Sequence, residues 1–203
     1  MPPLPELVQA LLDPKAYPEA PQGIELMQTQ MSFVFLTDDH VYKVKKPVNL
    51  GYLDYTTLDK RRFYCQREVE LNRRLCPSVY LGVVPITREK GGIFIGGRGE
   101  GMEYAVKMRR LPQEAMMDVL LGRNQVSSEM VGGVAEELAG FHQKAETSAS
   151  ISAFGDLDTV IQNTEENFTQ TEKYIGNTIS QGRYRHIKDY TNHFIRQSDS
   201  PVK

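Results

Sequence analysis

The sequence predicts an α+β protein, with an antiparallel sheet in residues 1–110 and helices in residues 111–203. Three observations predict it. Short apolar runs separated by turn residues recur between residues 24 and 108. A stretch with helical spacing, residues 57–75, divides those runs into two groups. From Pro112 onward the apolar residues recur at helical intervals instead.

Leu4, Leu7, Val8, Leu11 and Leu12 share one face, so residues 4–12 predict a short amphipathic helix. Asp13-Pro14 ends it, because a residue before proline is pushed out of the helical region. The proline-rich connector Pro14–Pro21 follows. Residues 24–36, rich in Ile, Leu, Met, Phe and Val, predict one or two strands. Thr37-Asp38-Asp39-His40 is a polar turn. Residues 41–46 alternate, with Lys43 and Lys45 on the face opposite Tyr42 and Val44. Pro47 lacks an N–H and stops the ladder. In the 57–75 helix Phe63, Leu71 and Leu75 form the expected apolar stripe, and Cys76-Pro77 terminates it. Val83-Val84-Pro85-Ile86, Gly92–Ile95 and Tyr104–Met108 predict three further antiparallel strands. In the helical part Met116, Met117, Val119 and Leu120 form one run, and Met130, Val134, Leu138 and Phe141 a second. Ile161, Phe168, Ile175 and Ile179 predict a third helix, and Ile187, Tyr190 and Phe194 a fourth.

The 203 residues are 40% apolar and 25% charged, which fits a folded domain and excludes long-range disorder. No apolar run approaches the length of a membrane span. The start, with Pro2, Pro3, Pro5 and Glu6, lacks the basic region of a secretory leader. Cys65 and Cys76 are too few for a disulfide framework or a four-thiolate zinc site, so a reducing, cytoplasmic setting is expected. The net charge of −2 is unevenly spread: −5 over residues 1–40, +5 over 41–75 and −2 over 76–203. A basic segment in a near-neutral protein points to a local anion site more than to a nucleic-acid surface.

A sheet lysine facing a glutamate on the next helix is one way to build such a site. The lysine supplies a compact cation for phosphates, and the glutamate fixes its position. Here the lysine is Lys43 or Lys45, on one strand face, and the glutamate is Glu68.

These residues carry a resemblance. Phe33-Val34-Phe35-Leu36-Thr37, Val41-Tyr42-Lys43-Val44-Lys45-Lys46-Pro47, Leu53-Asp54-Tyr55 and Glu68-Val69-Glu70-Leu71-Asn72-Arg73-Arg74-Leu75 resemble the aminoglycoside phosphotransferase-like family. More narrowly they resemble its bacterial branch often fused to a P-loop ATPase or kinase domain. Val84-Pro85-Ile86-Thr87, Glu103 to Pro112, Leu138-Ala139-Gly140-Phe141-His142 and Thr164 to Phe168 extend the likeness over roughly residues 5–195.

The resemblance implies a protein-kinase-like fold: an N-lobe with a five-stranded antiparallel sheet and one helix, a hinge, and a helical C-lobe. It implies an ATP-dependent phosphotransferase, a kinase acting on a small-molecule hydroxyl. Lys43 (or Lys45) would meet the nucleotide phosphates and Glu68 would pair with it. Met108, Arg109 and Leu111 would lie in the hinge whose backbone holds adenine. The family's His-Gly-Asp loop, and the Asn and Asp that bind magnesium, have no match here. Phe154-Gly155-Asp156 comes nearest, but the position five after Asp156 is Ile161, where the catalytic loop needs Asn. The expectation is therefore a truncated form with an incomplete C-lobe. It would retain nucleotide-positioning elements with no catalytic or metal residues, binding magnesium only if the missing C-lobe were present. A fused or partner domain would follow. The alternative is a non-catalytic, kinase-like interaction module.

Other motifs carry less. Gly96-Gly97-Arg98-Gly99-Glu100-Gly101 lacks the Gly-Lys-Ser/Thr and the helix that a phosphate loop needs, so it reads as a hairpin turn. Gln28-Thr29-Gln30-Met31-Ser32 would cover a nucleotide without glycines. The four histidines do not cluster at metal spacing. Lys60-Arg61-Arg62, interleaved with Asp59, Glu68 and Glu70 and without a dedicated motif, reads as a solvated face and not as a nucleic-acid surface.

Overall fold

The computed structural model describes residues 4–197. Pro2 and Pro3, named above, and the last six residues of the expected helical part, 198–203, lie outside them. The chain forms two compact units that divide between Val134 and Ala135.

In the first unit the leucine-rich start forms the short helix α1 (Glu6–Ala10), and Asp13 caps a 3-10 turn at Pro14–Ala16. Three strands follow: β1 (Glu25–Gln28), β2 (Ser32–Leu36) and β3 (His40–Lys45). Helix α2 (Leu58–Asn72) begins at Thr57, whose hydroxyl accepts from the Lys60 N–H at 3.3 Å. Then come β4 (Tyr80–Glu89), β5 (Gly92–Ile95) and β6 (Glu100–Arg109). All pairings are antiparallel, in the order β1-β2-β3-β6-β4-β5. The sheet has six strands where the resemblance implies five, because residues 24–36, read as one or two strands, form two. Two short helices, α3 (Met117–Gly122) and the start of α4 (Ser128–Gln143), close the unit.

The two faces of the sheet are covered differently. Tyr42 and Val44 of β3, Phe35, Ile86 and Ala105 pack against Val8, Leu11 and Tyr17 of the N-terminal segment. Fully burying side chains such as Phe35, Leu11, Ile86 and Val8 contributes about 1.5–3 kcal/mol each. On the other face Cys65 and Val69 of α2 meet Val106, Tyr80, Val83 and Met108. Period-two alternation therefore delivers Lys43 and Lys45 beneath α2, as their placement opposite Tyr42 and Val44 predicts.

Helix α2 corrects one expectation. Phe63, Leu71 and Leu75 are 54%, 47% and 41% exposed, and the inward stripe is Arg61, Cys65 and Val69. The strand face below carries Lys43, Lys45 and Glu103, so the helix face that fits it must be partly charged. The helix also ends at Asn72, before Cys76-Pro77.

The second unit is helical: the rest of α4, then α5 (Ala149–Ser152), α6 (Leu157–Thr171) and α7 (Gln181–Gln197). Ile175 and Ile179 were expected on the helix of Phe168. They lie beyond it, bridged to each other across a loop in which Gly176 adopts φ +86°. Tyr184 of α7 donates to the Phe168 carbonyl at 2.9 Å, and its ring meets the Phe168 ring edge-on at 5.8 Å. Among the described residues no helix is long and apolar enough to cross a membrane.

Candidate functional site

The strand and helix periods converge on one carboxylate. Glu68 flanks the inward stripe of Arg61, Cys65 and Val69 on α2, above the two lysines of β3 that face the helix. Lys43 Nζ donates to Glu68 Oε1 at 2.9 Å, and Lys45 Nζ donates to Oε2 at 2.6 Å. All three predicted charges thus meet in one cluster. The lysines differ in enclosure: the Lys45 side chain is 4% exposed, Lys43 32% and Glu68 14%.

Two ammonium groups on one carboxylate leave one positive charge uncompensated. Burial alone would raise the Glu68 pKa, but hydrogen bonds and charge from Lys45 and Lys43 outweigh it and hold the carboxyl below its ordinary range. Burial disfavours the Lys45 ammonium, yet Glu68 more than offsets this and raises its pKa. The Lys45 ammonium also sits 4.8 Å from the centre of the Tyr55 ring. Cys65, buried beside this cluster, has its thiol pushed up to about 11, first by burial, so it stays protonated at neutral pH.

A buried ion pair absent from the sequence reading anchors the helix. Arg61 Nε donates to Glu103 Oε2 at 2.7 Å, and its Nη1 reaches the carbonyls of Tyr55 (2.9 Å) and Thr56 (3.1 Å). Burial, as the largest influence, raises the Glu103 carboxyl despite this partner. At the other end of α2, Asn72 Nδ2 caps the Glu68 carbonyl at 2.8 Å.

Beside the cluster, within the first unit, opens a mostly apolar cleft of ≈ 450 Å³. Leu36, Val41, Tyr80, Met108, Leu111 and Met116 are among the residues lining it. Val41, Lys43 and Lys45 share one face of β3. At about 3.3 Å per residue the order along that face is cleft, then Lys43, then Lys45. Met108, Arg109 and Leu111 all line the cleft, as one group. Their backbone is less open than a free hinge. The Arg109 N–H bonds the Val79 carbonyl at 2.9 Å, and the Arg110 N–H bonds that of Asp39 at 2.8 Å. Pro112 has no N–H, so among the described residues Leu111 carries the one unengaged backbone donor of this stretch. The Arg110 guanidinium turns back to the Thr37 carbonyl at 2.7 Å.

Two loops complete the surroundings. In the β1–β2 turn Thr29 and Ser32 bond each other, and Lys46 Nζ donates to the Thr29 carbonyl at 2.7 Å. The glycine-rich turn before β6 wraps its own neighbour: the N–H groups of Arg98 and Gly99 donate to Glu89 Oε1 at 2.7 and 3.1 Å. A Cβ on Gly99 would come within 2.1 Å of the Arg88 carbonyl oxygen, which accounts for glycine there.

Arg61, Asn72, Tyr80 and Glu103 escaped the sequence reading. A charged residue on a helix or strand reads as solvated unless its partner is known, and Glu103 lies 42 positions from Arg61. The one available signal was that Arg61, Cys65, Glu68, Val69 and Asn72 recur at helical spacing.

The chain is similar to uncharacterized proteins of Mycobacterium tuberculosis strains H37Rv and CDC 1551 and of Mycobacterium bovis. Each is 28% identical over 172 residues, covering 85% of this chain and 33% of the relative. The chain thus spans about a third of the length of the curated relatives it matches. No family model and no solved structure matches it.

Proposed function

We propose that this chain is the nucleotide-positioning portion of an ATP-dependent phosphotransferase with a protein-kinase-like fold, resembling the aminoglycoside phosphotransferase-like family. One observation carries the reading: Lys43 and Lys45 share Glu68, with one positive charge in excess, and Lys43 lies two residues along β3 from Val41, which lines an apolar cleft. A planar base fits between Val41, Met108 and Leu111, and its polar edge can meet the Leu111 N–H. The phosphates then run along β3 toward Lys43, where the excess charge offsets theirs. The acceptor would be a hydroxyl on a small molecule.

The chain supplies position and charge. These 203 residues contain no His-Gly-Asp string, so this reading assigns neither the base nor a magnesium ligand to them. A second reading, a non-catalytic kinase-like interaction module, draws on the β1–β2 turn. It is closed on itself and on Lys46, so it has no slack to fold over phosphates.

Calorimetric titration with ATP and magnesium separates the two. The first reading expects binding that Lys43→Ala weakens by about tenfold or more, the loss of a charge-assisted contact. Binding unaffected by that substitution would remove Lys43 from the phosphate site, and no binding at all favours the module.

A further inference from the structure

The two lysines on Glu68 are not equivalent. Lys45 is enclosed, lies 2.6 Å from Oε2 and rests over the Tyr55 ring. Lys43 reaches Oε1 at 2.9 Å but keeps a third of its side chain in solvent, on the side nearer the cleft. A carboxylate neutralises one ammonium. If Lys43 turns from Glu68 to a phosphate, Lys45 keeps the carboxylate paired. Without Lys45, the same movement would strand a largely buried charge, which is costly.

Resting on the nucleotide reading above, we infer that Lys45 is a positioning residue: it holds Glu68 and thereby releases Lys43 to the phosphates. One cluster then serves two tasks. The inner pair keeps α2 on the sheet, and the outer lysine is free to exchange partners. The spacing of two residues along β3 separates these tasks without moving either backbone.

The test is a set of ATP–magnesium titrations on Lys45→Met, Glu68→Gln and the double variant, with adenosine as a second ligand. Lys45→Met should bind ATP about tenfold more weakly or worse, because Glu68 now retains Lys43, while adenosine affinity stays within about twofold. Adding Glu68→Gln removes the carboxylate that Lys43 would abandon, and ATP affinity should recover. A merely structural Lys45 would weaken both ligands together, and the second substitution would not repair the loss. Unchanged ATP binding in Lys45→Met, or no recovery in the double variant, overturns the inference. If the wild-type protein gives no heat with ATP, the nucleotide reading fails on its own. Acetylation by acetic anhydride, followed by peptide mass spectrometry, then decides between the lysines, as it does if Lys45→Met fails to fold. Lys43 should react about tenfold faster or more, by its exposure, and equal rates overturn the division.

Discussion

Glu68 links the cluster to pH. Its folded pKa lies below the ordinary carboxylate value of 4.5, because Lys45 and Lys43 outweigh the effect of burial. A depressed carboxyl contributes stability that is fully present above 4.5 and is lost as pH falls through the folded value. Urea midpoints measured from pH 7 down to pH 3 should therefore fall more steeply in wild type than in Glu68→Gln; parallel curves would contradict the ion pairing. Arg61 tests the anchor. Arg61→Ala leaves Glu103 buried with only the Tyr104 N–H as partner, at 3.0 Å. It should cost about 3–5 kcal/mol in chemical denaturation. At this scale the sequence revealed Lys43, Lys45 and Glu68, because alternation and helical phase each place a residue on a face. It did not reveal Arg61–Glu103, because no local pattern indicates which distant strand supplies a countercharge.

The elements show why some periodicities are easier to read than others. The N-terminal helix was legible, though it is shorter than residues 4–12 and leaves Leu12 exposed, because its partner face is apolar: Val8 and Leu11 are fully buried against Phe35 and Ile86. The same segment is fastened by polar contacts that the pattern conceals. The Tyr17 hydroxyl donates to the Leu11 carbonyl at 2.7 Å, and the Tyr42 hydroxyl donates to Glu19, which also receives Lys107. Leu11→Ala should remove about 2–5 kcal/mol, measured by thermal or urea unfolding, because the cavity opens where segment and sheet meet. A loss below about 1 kcal/mol would show that the segment is only loosely applied. Helix α2 misled for the opposite reason: it presents a partly charged face to a partly charged strand face, so its exposed Phe63 and Leu71 imitate a core stripe. In the third predicted helix, Ile175 and Ile179 continued the spacing past a 3-10 turn and Gly176, where the backbone had already left the helix.

At the scale of the whole molecule the two units differ in how they are held. In the first, an apolar layer lies on one face of a six-stranded sheet, and the Arg61–Glu103 and Lys–Glu68 pairs lie on the other. In the second, Tyr184 is the one buried side chain among the described residues, and α6 and α7 meet through Tyr184–Phe168, Lys188–Glu165 (2.8 Å) and Asn192–Glu165 (2.9 Å). Helices gain most of their stability from packing an apolar face, and these keep Ile187 and Tyr190 about half exposed or more. Opening free energy follows local burial, so protection against amide exchange should be graded along the chain. Amides of β2, β3 and β6 should exchange about a hundredfold more slowly, or better, than those of α6 and α7. Hydrogen–deuterium exchange read by mass spectrometry measures this peptide by peptide. Substituting Tyr184→Phe, which removes the hydroxyl bond to the Phe168 carbonyl but keeps the ring, should quicken exchange in α6 and α7 and leave β3 unchanged. Equal protection in both units would mean that they unfold as one.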